Sequence, residues 1–172
     1  GEGALLRQEG HTAFLLALMG LARDEDTALA ASYDITPLVH SRESLERILA
    51  QSHLAGRAKP LTVAIKFDTG MSRLGFLVRE GHFDTGVESI AAACALPGLE
   101  AEGIFTHFAV SDEDDRDSEA YTRAQFDVFT RVLDALAAGG RTFAIRHCAN
   151  SGALARYPEM YLDMVRPGIA LY

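Results

Sequence analysis

Short apolar runs alternate with longer amphipathic ones along the whole 172-residue chain, and this alternation restricts the fold more than any other feature. A short continuous apolar run suits a parallel strand covered on both faces, and an amphipathic run suits the helix that crosses back over the sheet. The strand candidates are His11–Met19, Ile35–Val39, Leu61–Phe67, Glu102–Ala109, Phe143–Cys148 and Met164–Arg166. Helices are expected around Asp24–Tyr33 and after an N-cap at Ser41, where Leu45, Ile48 and Leu49 share a face. A third should open at a Thr85–Glu88 capping box and stop near Pro97-Gly98. The longest should cover Ser118–Ala138, with Phe126, Phe129, Leu133 and Leu136 at helical spacing and Gly139-Gly140 as its stop.

Repeated strand–helix units mean a parallel sheet, either closed as a barrel or open and doubly wound. A nucleotide-binding open sheet needs a glycine-rich first turn, and neither GxGxxG nor GxxxxGK[ST] is present. A barrel is therefore favoured. A complete (β/α)8 barrel takes roughly 250 residues, or about 31 per unit, so 172 residues hold about five and a half units. The expected fold is α/β: a single domain over residues 1–172, forming a partial (β/α)8 barrel with about strands three to eight. The chain opens on Gly1-Glu2-Gly3 with no initiator Met or targeting segment, which reads as a cut start.

Charge excludes some partners. With 24 Asp+Glu against 16 Lys+Arg, the net charge of −8 leaves no electrostatic footprint for nucleic acid or an anionic membrane. The longest apolar run, Thr12 to Ala22, is about 11 residues, short of the ~18 that span a bilayer. Cys94 and Cys148 match no zinc or CxxC spacing and read as buried free thiols of a cytoplasmic protein. No metal site is expected; the acidic run Asp112–Asp117 reads as a solvated helix start.

In a barrel, chemistry sits where strands end. At those positions stand Asp68-Thr69-Gly70-Met71-Ser72-Arg73, Thr106-His107-Phe108, His147-Cys148-Ala149-Asn150-Ser151-Gly152 and Arg166-Pro167-Gly168-Ile169. Each group has an ordinary reading: a solvated loop arginine, a core histidine, a helix cap, an exposed strand end. Together they place two arginines, two histidines, an Asn and a Ser on one face. If the last two strands are barrel strands seven and eight, Ser151, Gly152, Gly168 and Ile169 lie where such barrels hold a phosphate. Arg166 would then face the body of a phosphorylated ligand.

The segments match a known family. Lys66–Phe76 resembles the KxDTGMxRLGF segment of bacterial alanine racemases, and Gly103–Ala109 resembles their next strand. His147–Gly152 and Arg166–Tyr172 resemble their HxxNSxA and RPGIxLYG segments, and order and spacing agree along essentially the whole chain. The resemblance implies a barrel domain that binds pyridoxal 5′-phosphate (PLP), followed by a mostly β domain, in a homodimer. It implies a cytoplasmic enzyme that interconverts L- and D-alanine and supplies D-alanine for peptidoglycan.

By the same resemblance, Ser151, Gly168 and Ile169 would hold the cofactor phosphate, with Asn150 in support. Arg166 would bond the pyridine nitrogen, with His107 beside it. Arg73 would contact the cofactor phenolate and the substrate carboxylate, and a carbamylated Lys66 would orient Arg73. The family's Schiff-base lysine lies in a segment resembling AVxKAxAYGHG, which nothing here matches. Its second acid/base is a tyrosine of the partner subunit's C-terminal domain. No catalytic proton-transfer residue is therefore expected within these 172 residues, and the segment alone is expected to be inactive. Two other readings stand beside this one: a PLP-barrel enzyme of the D-threonine aldolase or D-serine dehydratase kind, and a non-catalytic PLP-binding protein.

Overall fold

The computed structural model describes residues 1–21, 23–54 and 59–172. Its elements run α1 (Glu2–Gln8), β1 (Leu16–Ala17), α2 (Asp24–Ser32), β2 (Thr36–Val39), α3 (Arg42–Leu54), β3 (Leu61–Asp68) and β4 (Phe76–Leu77). They continue with α4 (Phe83–Cys94), β5 (Leu99–Phe105), α5 (Arg116–Ala138), β6 (Ile145–His147) and α6 (Ser151–Arg156), with short 3-10 turns at Pro158–Met160 and Ile169–Leu171. The strands form one parallel sheet in the order β1-β2-β3-β5-β6, and β4 pairs with the end of β3. Successive strands lie side by side with helices between them, which is the wall of a partial barrel.

Side-chain alternation divides β3 between two environments. Leu61, Val63, Ile65 and Phe67 face the helices and pack with Leu45 and Ile48 of α3, Ile90 of α4, and Phe129, Val132 and Leu136 of α5. The Phe67 and Phe129 rings stack at 5.3 Å between centroids, which fixes α5 against the sheet. Ala64 faces the other side and joins Leu38, Phe105 and Leu16 in a small separate cluster, the barrel interior.

The β3–β5 ladder contains one irregularity. Val63 pairs with Ala101, but Ala64 pairs with Gly103, so Glu102 is an extra residue in β5. Beyond this bulge Lys66 stands opposite Phe105, and Phe105 opposite His147. The three therefore form one row across the sheet.

Local chemistry explains several helix ends. Ser41 caps α3 through Ser44 N–H (3.1 Å), while Ser44 Oγ accepts from the backbone N–H groups of His40 and Ser41. Asp115 caps α5 by accepting from Asp117 and Ser118 N–H, so the helix begins at Arg116, two residues before the expected Ser118. Helix α4 begins at Phe83, not at the Thr85 box; Gly81 turns the chain at φ +78, and Thr85 Oγ1 donates back to His82 O. Of the expected strand His11–Met19, only Leu16–Ala17 pairs, opposite Thr36 and Pro37 of β2. The expected strand Met164–Arg166 does not form. Asp163 and Arg166 N–H reach Arg146 O and Ala149 O, and Pro167 then has no N–H with which to extend a ladder. Cys94 and Cys148 are buried free thiols, and no helix among the described residues is long and apolar enough to cross a membrane.

Candidate functional site at the barrel mouth

The row Lys66–Phe105–His147 forms the floor of a polar cluster. Phe105 and His147 stack nearly parallel, 4.6 Å apart, and Lys66 Nζ and the Arg166 guanidinium lie over the Phe105 ring at 5.8 and 5.2 Å. Burial pulls the Lys66 ammonium down to about 8; Arg73 and Arg166 push it the same way and Asp68 opposes them. An appreciable fraction of this buried amine is therefore neutral at physiological pH. It can react with an electrophile, whereas an ordinary surface lysine is almost wholly protonated.

Arg166 comes from the segment after the last helix and reaches back over three strand ends. Its Nη2 donates to Thr106 O (2.9 Å) and Cys148 O (3.2 Å), lies 3.4 Å from His107 Nδ1, and its Nη1 bonds His147 Nδ1. Burial lowers the guanidinium to about 10, so it stays charged at neutral pH. The two histidines respond in the opposite sense. Burial first, then the Arg166 charge, holds His107 at about 4 and His147 at about 3. Both are neutral at pH 7, and each Nδ1 is then an acceptor facing Arg166.

This arrangement fixes a pH dependence. An unfolded histidine binds its proton near pH 6.5, while these two resist protonation until about 4 and 3. Between those limits the unfolded chain holds more protons, so stability is present above pH 6.5 and declines as pH falls through it. The expected loss from pH 7 to pH 5 is about 2–4 kcal/mol. Urea midpoints at pH 7, 6 and 5 measure it, and equal midpoints would contradict the buried neutral pair.

The loop after β3 carries Arg73. Asp68 Oδ1 accepts from the backbone N–H groups of Gly70 (2.9 Å) and Ser72 (3.0 Å), folding the loop on the carboxylate. Arg73 is exposed, with no hydrogen-bond partner among the described residues, and its charge is felt by Lys66 and His107. On the other side, Ser151 Oγ accepts from Gly168 N–H (2.8 Å) and Ala170 N–H (3.2 Å). Its own hydroxyl hydrogen remains free to donate. A Cβ at Gly168 would meet only Ser151 Oγ at 3.9 Å, so the backbone there is open to close approach. Ile169 lies between these donors with its side chain exposed.

Asn150 is the N-cap of α6. Its Oδ1 accepts from Ala153 N–H and the Ser111 hydroxyl, so the ordinary helix-cap reading describes its contacts. Gly152 is needed next to it, since a Cβ would lie 2.7–2.9 Å from Ser111 and Asp112 backbone atoms.

The structure thus brings Lys66, His107 and Arg166 together, with Arg73 on the rim and Ser151, Gly168 and Ile169 beside them. Two members, Phe105 and His147, carry no expected cofactor or substrate contact, and His147 stands only among the strand-end polar residues. Only the strand register places them in the Lys66 row, although HxxNS at a strand end was a usable signal for His147. A cavity of about 540 Å3 lined by residues of α1, β1 and α2 shares no lining residue with this cluster.

Comparison with known proteins agrees along the whole chain. The family described as "Alanine racemase, N-terminal domain" matches residues 1–172. Alanine racemase of Desulforamulus reducens is 44% identical over 171 residues, covering 99% of this chain and 44% of that protein. The Carboxydothermus hydrogenoformans enzyme is 39% identical, with 99% and 43% covered. Among solved structures, alanine racemase of Clostridium difficile 630 in complex with cycloserine superposes with a TM-score of 0.86 at 35% identity, covering 99% of this chain and 44% of that one. Biosynthetic alanine racemase from Pseudomonas aeruginosa gives 0.79 at 32%, with 99% and 43% covered. The chain spans less than half the length of these relatives, and over that span it belongs to the alanine racemase N-terminal domain family.

Proposed function

We propose that residues 1–172 are the greater part of the cofactor barrel of a PLP-dependent racemase that interconverts L- and D-alanine. The observation that carries this reading is the donor set at the mouth. Lys66, Arg73 and Arg166 gather there in a chain of net charge −8, beside an unused Ser151 hydroxyl hydrogen and the open backbone of Gly168. That chemistry fits a ligand with a phosphate at one end and a neutral ring nitrogen at the other. Bound PLP supplies electron withdrawal that acidifies the α-hydrogen of an amino acid.

This chain's residues do the binding and orientation. Ser151 would donate its hydroxyl hydrogen to the phosphate, the Gly168 N–H would turn to it from Ser151 Oγ, and the Ile169 N–H would join it. Arg166, locked by two carbonyls and His147, would donate to the pyridine nitrogen. It cannot readily give up its proton there, so the ring stays neutral and electron withdrawal is moderated. That restrains side reactions of the deprotonated substrate. Arg73 on the rim would take the substrate carboxylate. Lys66, depressed to about 8, has the neutral amine fraction that carbamylation by carbon dioxide requires; the resulting anion would turn Arg73 inward.

The remaining lysine, Lys59, is exposed and precedes β3. The 172-residue segment alone is therefore expected to produce no D-alanine. The full-length protein with PLP is expected to convert L-alanine to D-alanine, read by a D-amino-acid oxidase coupled assay. Full-length protein that binds PLP yet forms no D-alanine would overturn the assignment, and turnover of D-threonine or D-serine in its place would redirect it to a related PLP-barrel chemistry.

A further inference from the structure

Helix α5 meets the site with two polar side chains one turn apart, Tyr121 and Gln125. Gln125 is fully buried on a stripe otherwise completed by Thr122, Phe129, Val132 and Leu136, a position where an apolar residue would avoid desolvating an amide. Its bonds are all to the ends of site-bearing strands. Oε1 accepts from Ala109 N–H (3.0 Å), and Nε2 donates to Thr69 Oγ1 (3.1 Å) and, more weakly, to His107 O (3.4 Å). Thr69 Oγ1 bonds Thr106 Oγ1 (2.9 Å), and Thr106 O receives Arg166. One turn earlier, the Tyr121 hydroxyl donates to Gly70 O (2.8 Å). It stands so close that a Cβ on Gly70 would lie 2.4 Å from it.

We propose that Tyr121 and Gln125 form a two-point clamp by which α5 positions the Arg73 loop and the His107–Arg166 pair. Among the described residues Asp68 organises the loop from within, Arg79 Nη1 donates to Ser72 Oγ (3.2 Å), and Ser72 is held at φ +58, a conformation non-glycine residues adopt reluctantly. Tyr121 and Gln125 supply the external restraint at Gly70 and Thr69. Neither touches the rim group itself, so both are positioning residues. Their effect on substrate rests on the reading above, in which Arg73 takes the substrate carboxylate. A loosened loop lowers the fraction of molecules with Arg73 in place, which weakens carboxylate binding and leaves proton transfer untouched.

The experiment uses full-length protein with Tyr121→Phe and Gln125→Met. Tyr121 is partly exposed, so removing its hydroxyl deletes one hydrogen bond without disturbing the core, and that variant folds even if Gln125→Met does not. Hydrogen exchange in ligand-free protein is expected to quicken at the Gly70 and Ser72 amides in both. For alanine, Tyr121→Phe is expected to raise KM about three- to ten-fold, the worth of one hydrogen bond. Its kcat should stay within about two-fold, as expected when binding alone is lost. Unchanged exchange overturns the clamp. Faster exchange with an unchanged KM leaves the pair a structural role only and also overturns it. Wild-type protein without racemase activity overturns the functional reading, and exchange at Gly70 and Ser72 then decides the clamp by itself.

Discussion

Gly75→Ala is expected to destabilise the fold by about 3 kcal/mol or more, the combined cost of a strained backbone and an unrelieved clash. Gly75 sits at φ +135 immediately before β4. A Cβ there would lie 2.6 Å from Phe67 C, 2.7 Å from Asp68 N and 2.8 Å from Phe67 Cα. All three are backbone atoms of β3, so no side chain can swing aside. Nor can the backbone separate without cost. Phe76 and Leu77 pair with Phe67 and Asp68, and Val78 N–H bonds Asp68 O. Relief would pull β4 off the strand that carries Lys66 and displace Asp68, the organiser of the Arg73 loop. Thermal unfolding should fall by roughly 10 °C for a chain of this size. A melting temperature within a degree or two of wild type would show that β4 is not held as described.

The second large effect belongs to Arg166→Met. The substitution keeps the unbranched stem and removes the guanidinium. Thr106 O, Cys148 O and His147 Nδ1 all lose a donor in a mostly buried setting, for an expected cost of about 2–4 kcal/mol. The histidines report the change directly. The Arg166 charge is the second cause, after burial, that holds His107 and His147 low, so both should titrate higher in the variant. Burial remains, so both should still titrate below an ordinary histidine. Imidazole resonances followed by NMR from pH 3 to 8 (about the range the two groups and a free histidine span) test this. Histidine titrations unmoved by the variant would contradict the contact. On the proposed function, PLP affinity falls as well.

What could be read from sequence followed the length and continuity of the signal. Strand Leu61–Phe67 and its DTGM-x-R turn were legible because seven of the eight residues of β3 are buried and the polar loop follows at once. Helix α5 was legible because its apolar spacing persists over 23 residues. The failures are places where a distant partner decides. Leu16–Ala17 is a strand only where it meets Thr36 and Pro37 of β2, and around Met164–Arg166 the bonds to Arg146 O and Ala149 O form no ladder. Helix α1 has no side-chain cap; it is held by Arg7, whose guanidinium bonds the carbonyls of His11, Ala13, Tyr33 and Asp34. Short-range pattern does not encode those contacts. The strand-end polar residues were legible as a set, but their grouping around Phe105 and His147 depends on register.

The register itself hangs on one residue. Ahead of the bulge in β5, odd-numbered Leu99 and Ala101 face the helices; after it, even-numbered Ile104 takes that role and Phe105 turns inward. Glu102 thus acts as a phase shift in the strand. Pairing Glu102 as an ordinary ladder residue would exchange inside for outside over the rest of β5, pointing Phe105 at the helices and Ile104 into the mouth, whereas deleting it would leave the pairs from Gly103 to Phe105 as they are on a regular strand. In this part of the chain, whether one residue is bulged out or paired decides which side chains reach the site. A lineage that shifted this bulge would inherit the same barrel wall around a different mouth.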